Sequence, residues 1–171
     1  MSDPETLTID VNGFATRVWR KGTGPKLAYL AGFGGLPRWM PFLDELAKSR
    51  TVIVPSVPGF PGGDRGHSVL DTHLDWMLAM RQLLEKSGLD GADIAGSSVG
   101  ASLAADVAAL WPASVRKLAL IPPFGLFDET DPPTAPCAQP RRQEAGCMFA
   151  GPAAPEGMKA GPAGAAPTPA A

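Results

Sequence analysis

The chain has 171 residues, 44% hydrophobic and 19% charged, with a formal net charge of −2. That is enough chain for a sizeable core, and the near-neutral balance, with basic residues scattered, gives no electrostatic reason to bind nucleic acid or an acidic membrane surface. The N-terminus, MSDPETLTID, lacks the basic and apolar regions of a signal peptide, and no apolar run reaches the roughly 18 residues of a membrane span; the expected location is cytoplasmic.

In chain order, residues 7–11 and 15–20 alternate in polarity and read as two strands around the turn Asn12-Gly13, an opening hairpin. Residues 26–31 (KLAYLA) form an apolar run that reads as a buried strand and ends in Gly32-Phe33-Gly34-Gly35. Residues 41–48 (PFLDELAK) read as a helix, and 51–55 (TVIVP) as a buried strand. A Gly/Pro-rich loop spans 56–66. Apolar positions at Leu70, Leu74, Met77, Leu78, Met80 and Leu84 then predict an amphipathic helix over 69–87. Ser68 and Asp71 fit a capping box at its start, and Gly88 fits its stop. Residues 92–95 (ADIA) read as a strand, 99–110 as a small-residue helix ended by Trp111-Pro112, and 115–121 (VRKLALI) as a further buried strand.

Strands therefore alternate with helices from residue 26 onward, which predicts an α/β fold: a mostly parallel sheet flanked by helices on both faces. Active sites in such open sheets lie beyond the carboxyl ends of the strands. The loops 32–39, 56–66 and 96–99 meet that condition. Residues 132–171 are different material: 9 Pro, 12 Ala and 5 Gly fill 26 of 40 positions, while all four Trp and the single Tyr lie earlier. The expected organisation is a folded part over 1–131 and a Pro/Ala/Gly-rich low-complexity tail over 132–171, disordered because it has too little apolar surface to offset the entropy of ordering. Cys137 and Cys147 fall in that tail without C-x-x-C spacing, so neither a metal site nor a disulfide framework is supported.

Gly96-Ser97-Ser98-Val99-Gly100 matches G-x-S-x-G, with a strand before it and a small-residue helix directly after it, the context the motif requires. Its chemistry follows from a tight strand-to-helix turn. The serine takes a strained backbone conformation, and side chains two positions to either side would collide with neighbouring elements, so glycine stands there. The hydroxyl is lifted above the sheet edge, at a helix N-terminus where negative charge is favoured, and the Val99 N–H faces the position of a substrate oxyanion. A chemically idle Gly/Ser turn is the bland alternative. A dinucleotide loop is a weaker one, because Ser102 stands where that pattern wants glycine and the turn does not follow the first strand of its sheet.

With these residues in view, the chain resembles the α/β-hydrolase family in three segments that keep the family's order. LAGFGGLPRW (30–39) resembles the oxyanion loop after strand three, with Ala31 in place of the usual histidine; the Phe33 N–H is implied as second oxyanion donor. VIVPSVPGFPGGDRG (52–66) resembles the strand-four loop, with Ser56 in place of the common aspartate. GSSVG is the third. The resemblance covers about residues 7–131. Serine at the elbow looks like esterases, lipases and carbon–carbon bond hydrolases, and it implies acyl transfer from a small-molecule acyl substrate with no metal or organic cofactor: Ser98 attacks a carbonyl, a histidine takes its proton, and an acid orients the histidine.

The family's acid and histidine follow the serine in the chain, whereas His67 and His73 both precede it and read as surface or loop residues. His67, in a loop bordering the site, is the less implausible rescue base. Asp128, Glu129 and Asp131 follow the sixth strand; Asp128 is a candidate acid, with a solvated turn as the bland reading. The sheet is therefore expected to be truncated after about strand six, with an apolar edge left unpaired, and the chain to be weakly active and aggregation-prone. A non-catalytic small-molecule-binding protein on the same fold is the runner-up, and a nucleotide-binding oxidoreductase the third reading. Neither substrate nor oligomeric state is legible.

Overall fold

The computed structural model describes residues 3–125. The low-complexity tail, Cys137 and Cys147, and the acidic candidates Asp128, Glu129 and Asp131 lie outside the described residues.

The chain opens with β1 (Glu5–Val11) and β2 (Phe14–Lys21), an antiparallel hairpin pairing Val11 with Phe14. Its turn residues Asn12 and Gly13 both have positive φ, 53° and 83°, the combination that the tight mirror-image turn of a hairpin requires. Then follow β3 (Lys26–Leu30), α1 (Pro41–Ala47), β4 (Thr51–Pro55), α2 (His73–Lys86), β5 (Ala92–Ser98), α3 (Val99–Leu110) and β6 (Val115–Pro123). The strand order is β1-β2-β4-β3-β5-β6. Pairings among β4, β3, β5 and β6 are parallel, and β2 meets β4 antiparallel. This is the expected α/β class, a mostly parallel sheet.

Alternation along the strands divides the core into two layers. Ala28 and Leu30 of β3, Ile53 of β4 and Ile94 of β5 join Met77, Met80, Leu83 and Leu84 of α2 and Ala104 and Val107 of α3 in one cluster. Tyr29, Val52 and Val54 face the other way and pack with Trp19 and with Leu43 of α1. Helices therefore cover both faces.

The helix expected over 69–87 is shorter. Residues Gly66–Val69 form a separate 3-10 turn, and Leu70 leaves it at φ −104°, ψ 85°, which no helix can continue through. The capping box belongs to Thr72 and Asp75, four positions later than expected: Thr72 Oγ1 accepts from the Asp75 N–H, and the Asp75 carboxylate accepts from the Thr72 N–H. Ser68 instead donates to the Arg65 carbonyl. Leu74 and Leu78 are exposed rather than core. Gly88 ends the helix as expected, with φ 68°. Among the described residues, no helix is long and apolar enough to cross a membrane.

Candidate functional site

The parallel strands end at one edge of the sheet, and the loops 32–39, 56–66 and 96–99 meet there. A Cβ added at Gly32 would stand 3.0 Å from Ser98 Cβ, and one at Gly35 would stand 2.9 Å from Phe60 Cβ. The 32–39 segment therefore touches both of the others.

Ser98 is the last residue of β5 and the N-cap of α3, with φ 50° and ψ −123°. A positive φ is costly for a residue with a Cβ, about 1–2 kcal/mol, so the surroundings must enforce it. Two glycines do so by letting backbone approach backbone. A Cβ at Gly96 would sit 2.6 Å from Ala101 Cα, and one at Gly100 would sit 2.4 Å from the carbonyl oxygens of Leu30 and Ala31. The turn thus nests against the end of β3. From the far side, the Phe124 N–H donates to the Ser98 carbonyl at 3.2 Å, and the Ser102 hydroxyl contacts that carbonyl at 3.4 Å while also donating to the Phe124 carbonyl. Beneath the turn, the Ser97 hydroxyl hydrogen-bonds the Tyr29 hydroxyl at 3.0 Å. Ser98 and Val99 are half-buried, and Val99 opens α3.

Phe33 lies in a turn closed by the Gly35 N–H donating to the Gly32 carbonyl at 3.0 Å. Its ring is 75% exposed and meets Phe60 edge-on, centroids 6.4 Å apart. Ser56, at the position where an aspartate is common, is buried and donates to the Pro61 carbonyl at 2.8 Å.

The two histidines make other contacts, His67 against the 56–66 loop that borders the site. His67 packs against Gly59, whose added Cβ would meet His67 Nδ1 at 2.5 Å. His73 opens α2 and its Nε2 lies 3.4 Å from Asp106 Oδ2, both side chains being substantially exposed. Among the described residues no hydrogen bond joins the Ser98 hydroxyl to either. No group of His, Cys, Asp and Glu among the described residues could hold a metal ion.

Sequence reasoning missed Tyr29, Ser102 and above all Arg17. From β2, the Arg17 Nη2 donates to the Leu36 carbonyl at 2.7 Å, the Pro61 carbonyl at 3.0 Å and Ser56 Oγ at 3.2 Å. Burial lowers the guanidinium from its usual value, and the group remains a cation at neutral pH. Those partners stand 19, 44 and 39 positions away in sequence, so no local pattern could mark them.

The model of the alpha/beta hydrolase fold family matches residues 29–143. The chain is 34% identical over 122 residues to the dihydrolipoyllysine-residue acetyltransferase component of the acetoin cleaving system of Cupriavidus necator, covering 70% of this chain and 32% of that protein. It is 30% identical over 128 residues to the 2-hydroxy-6-oxo-2,4-heptadienoate hydrolase of Pseudomonas putida, covering 74% and 44%. Among solved structures, the 2-hydroxy-6-oxo-6-phenylhexa-2,4-dienoate hydrolase of Rhodococcus sp. strain RHA1 superposes with a TM-score of 0.60 at 20% identity, over 76% of this chain and 50% of that one. The chain spans less than half the length of these two curated relatives. The matched family model, the sheet order and the glycine-flanked turn at Ser98 agree, and the chain belongs to the α/β-hydrolase fold family.

Proposed function

We propose that this chain carries the nucleophile half of a serine hydrolase acting on an ester or related acyl substrate, with Ser98 as nucleophile and the N–H groups of Val99 and Phe33 as oxyanion donors. The observation that carries the reading is the Ser98 backbone, at φ 50° on the strand-to-helix turn between two glycines with no room for a Cβ. Strain of that kind is held where geometry serves chemistry. The start of α3 adds its dipole to the stabilisation of negative charge on the substrate oxygen. The relatives named as hydrolases support the reaction class.

That neither His67 nor His73 hydrogen-bonds the Ser98 hydroxyl among the described residues supports a general base lying outside residues 3–125. With no base beside it, the serine hydroxyl is a weak nucleophile, and catalysis falls to the contribution of the oxyanion hole and binding, on the order of 10³–10⁴ over water. The same placement of the histidines favours, as a second reading, a small-molecule-binding protein that keeps the pocket without the chemistry.

A fluorophosphonate probe separates the two. Slow, time-dependent labelling that maps to Ser98 and vanishes in Ser98→Ala is the expected result. A chain that stays unlabelled at saturating probe, yet shows the cooperative unfolding of a folded domain, would exclude the nucleophile reading and leave the binding protein.

A further inference from the structure

The segment that carries Phe33 is closed by a single backbone hydrogen bond of its own, from the Gly35 N–H to the Gly32 carbonyl. Gly34 and Gly35 both have positive φ, 85° and 64°, and glycine there leaves the backbone free to move. A contact from outside the segment therefore adds to what its one hydrogen bond holds. Arg17 is placed to do so: one guanidinium nitrogen reaches Leu36 at the end of this turn and also Ser56 and Pro61 in the neighbouring loop. The guanidinium is held on its other side by the Trp19 ring, 3.5 Å from Cζ to the ring centroid, which fixes its plane. Gly62 makes room for it, since a Cβ there would stand 2.4 Å from Arg17 Cζ. Arg17 Nε is buried with no hydrogen-bond partner among the described residues. An unmet buried donor is unfavourable, so packing alone does not account for a cation at this position.

We propose that Arg17 is a positioning residue, whose guanidinium clamps the 32–39 loop to the 56–66 loop and thereby sets the Phe33 amide relative to Ser98. The proposal rests on the reading of Ser98 and Phe33 given above. The loops also touch through Gly35 and Phe60, so displacement of one is transmitted to the other. Lysine keeps the charge but offers a compact ammonium in place of the planar fork, and it cannot reproduce the stack on Trp19 with the same spread of donors.

The test uses the full chain, fluorophosphonate labelling and amide hydrogen exchange on the same samples. In Arg17→Met the maximal labelling rate at Ser98 is expected to fall about tenfold to a hundredfold, the range of a misplaced oxyanion donor, with the half-saturating probe concentration little changed. Arg17→Lys should recover part of the rate, and it carries the test if Arg17→Met does not fold. Exchange should accelerate in both 32–39 and 56–66 while β3 and β5 keep their protection. Labelling rates unchanged in both variants would overturn the positioning role, as would acceleration in neither loop. If the unaltered chain is not labelled, the hydrolase reading fails, and exchange alone decides the clamp: acceleration in both loops supports it, and acceleration in neither overturns it.

Discussion

A methyl group added at Gly100 would stand 2.4 Å from two carbonyl oxygens of β3 and its exit, and one at Gly96 would strike the backbone of α3. Neither neighbour is the end of a flexible side chain, so relief requires the strand and helix to part. Gly96→Ala and Gly100→Ala are each expected to destabilise the fold by roughly 3 kcal/mol, at the upper end of overpacking costs. Gly13→Ala is the control: its φ of 83° is strained for alanine, but no atom lies within 4 Å, so about 1 kcal/mol is expected. Urea midpoints measure all three, and equal costs at Gly13 and Gly100 would refute the packing argument. At the opposite end of β5, Asp93 is buried between Arg50 at 2.9 Å and Arg116 at 2.7 Å. Burial works to raise its carboxyl, but the hydrogen bonds from the two arginines and then their charges more than offset that, and the group lies below its ordinary 3.8. A carboxyl depressed in the folded state contributes stability that is present above its unfolded value and lost as pH falls through the folded one. Asp93→Asn should therefore flatten the loss of stability below about pH 3.8, seen by titrating the urea midpoint. Depressed carboxyls at Asp10, Asp44 and Asp75 keep some slope in the variant.

Element by element, what the sequence specified well was whatever local chemistry decides. Asn12-Gly13 is a turn because both residues tolerate positive φ, and β4 reads as a buried strand because each of its residues is buried. The start of α2 was not decided locally. Ser68–Asp71 and Thr72–Asp75 have the same spacing and similar chemistry, and the chain uses the second because Leu70 turns out of the helical region between them. The apolar positions Leu74 and Leu78 suggested an earlier, wider stripe, but they face solvent while Met77, Met80, Leu83 and Leu84 face the sheet. Periodicity cannot tell a core leucine from an exposed one when both fit the same window. The cap distinguishes the two registers experimentally. Thr72→Ala is expected to cost about 1 kcal/mol, the usual value of an N-cap. Ser68→Ala should stay within about 0.5 kcal/mol. The reverse order in a urea titration would return the helix start to residue 69.

At the scale of the whole molecule, the site was legible as three loops because parallel strands must end on one side, but the hydrogen bonds that link two of them, 32–39 and 56–66, were not. Arg17 sits in an ordinary alternating strand and acquires its partners through the tertiary fold. The same scale governs solubility. Among the described residues β6 pairs with β5 alone and forms one edge of the sheet. Leu118, Leu120 and Ile121 on it are 36%, 45% and 48% exposed, so side chains on both of its faces are accessible. A long edge strand with exposed apolar side chains is a template for pairing with another chain, and sheets ordinarily protect such edges with charge, bulges or a cover. The flanking arrangement offers little protection in the middle of β6: Arg116 turns to Asp93, which leaves Lys117 as the adjacent charge before the run Leu118–Ile121. Light scattering of the chain is therefore expected to rise steeply with concentration. Leu120→Lys should reduce it severalfold while moving the unfolding free energy by no more than about 0.5 kcal/mol, because the side chain lies at the surface. Lysine at buried Ile94, on the adjoining strand, would unfold the core instead and raise scattering. The pair of substitutions thus separates association through the native edge from association of unfolded chains. If Leu120→Lys leaves scattering unchanged while stability is preserved, the edge is not the surface through which the chains associate.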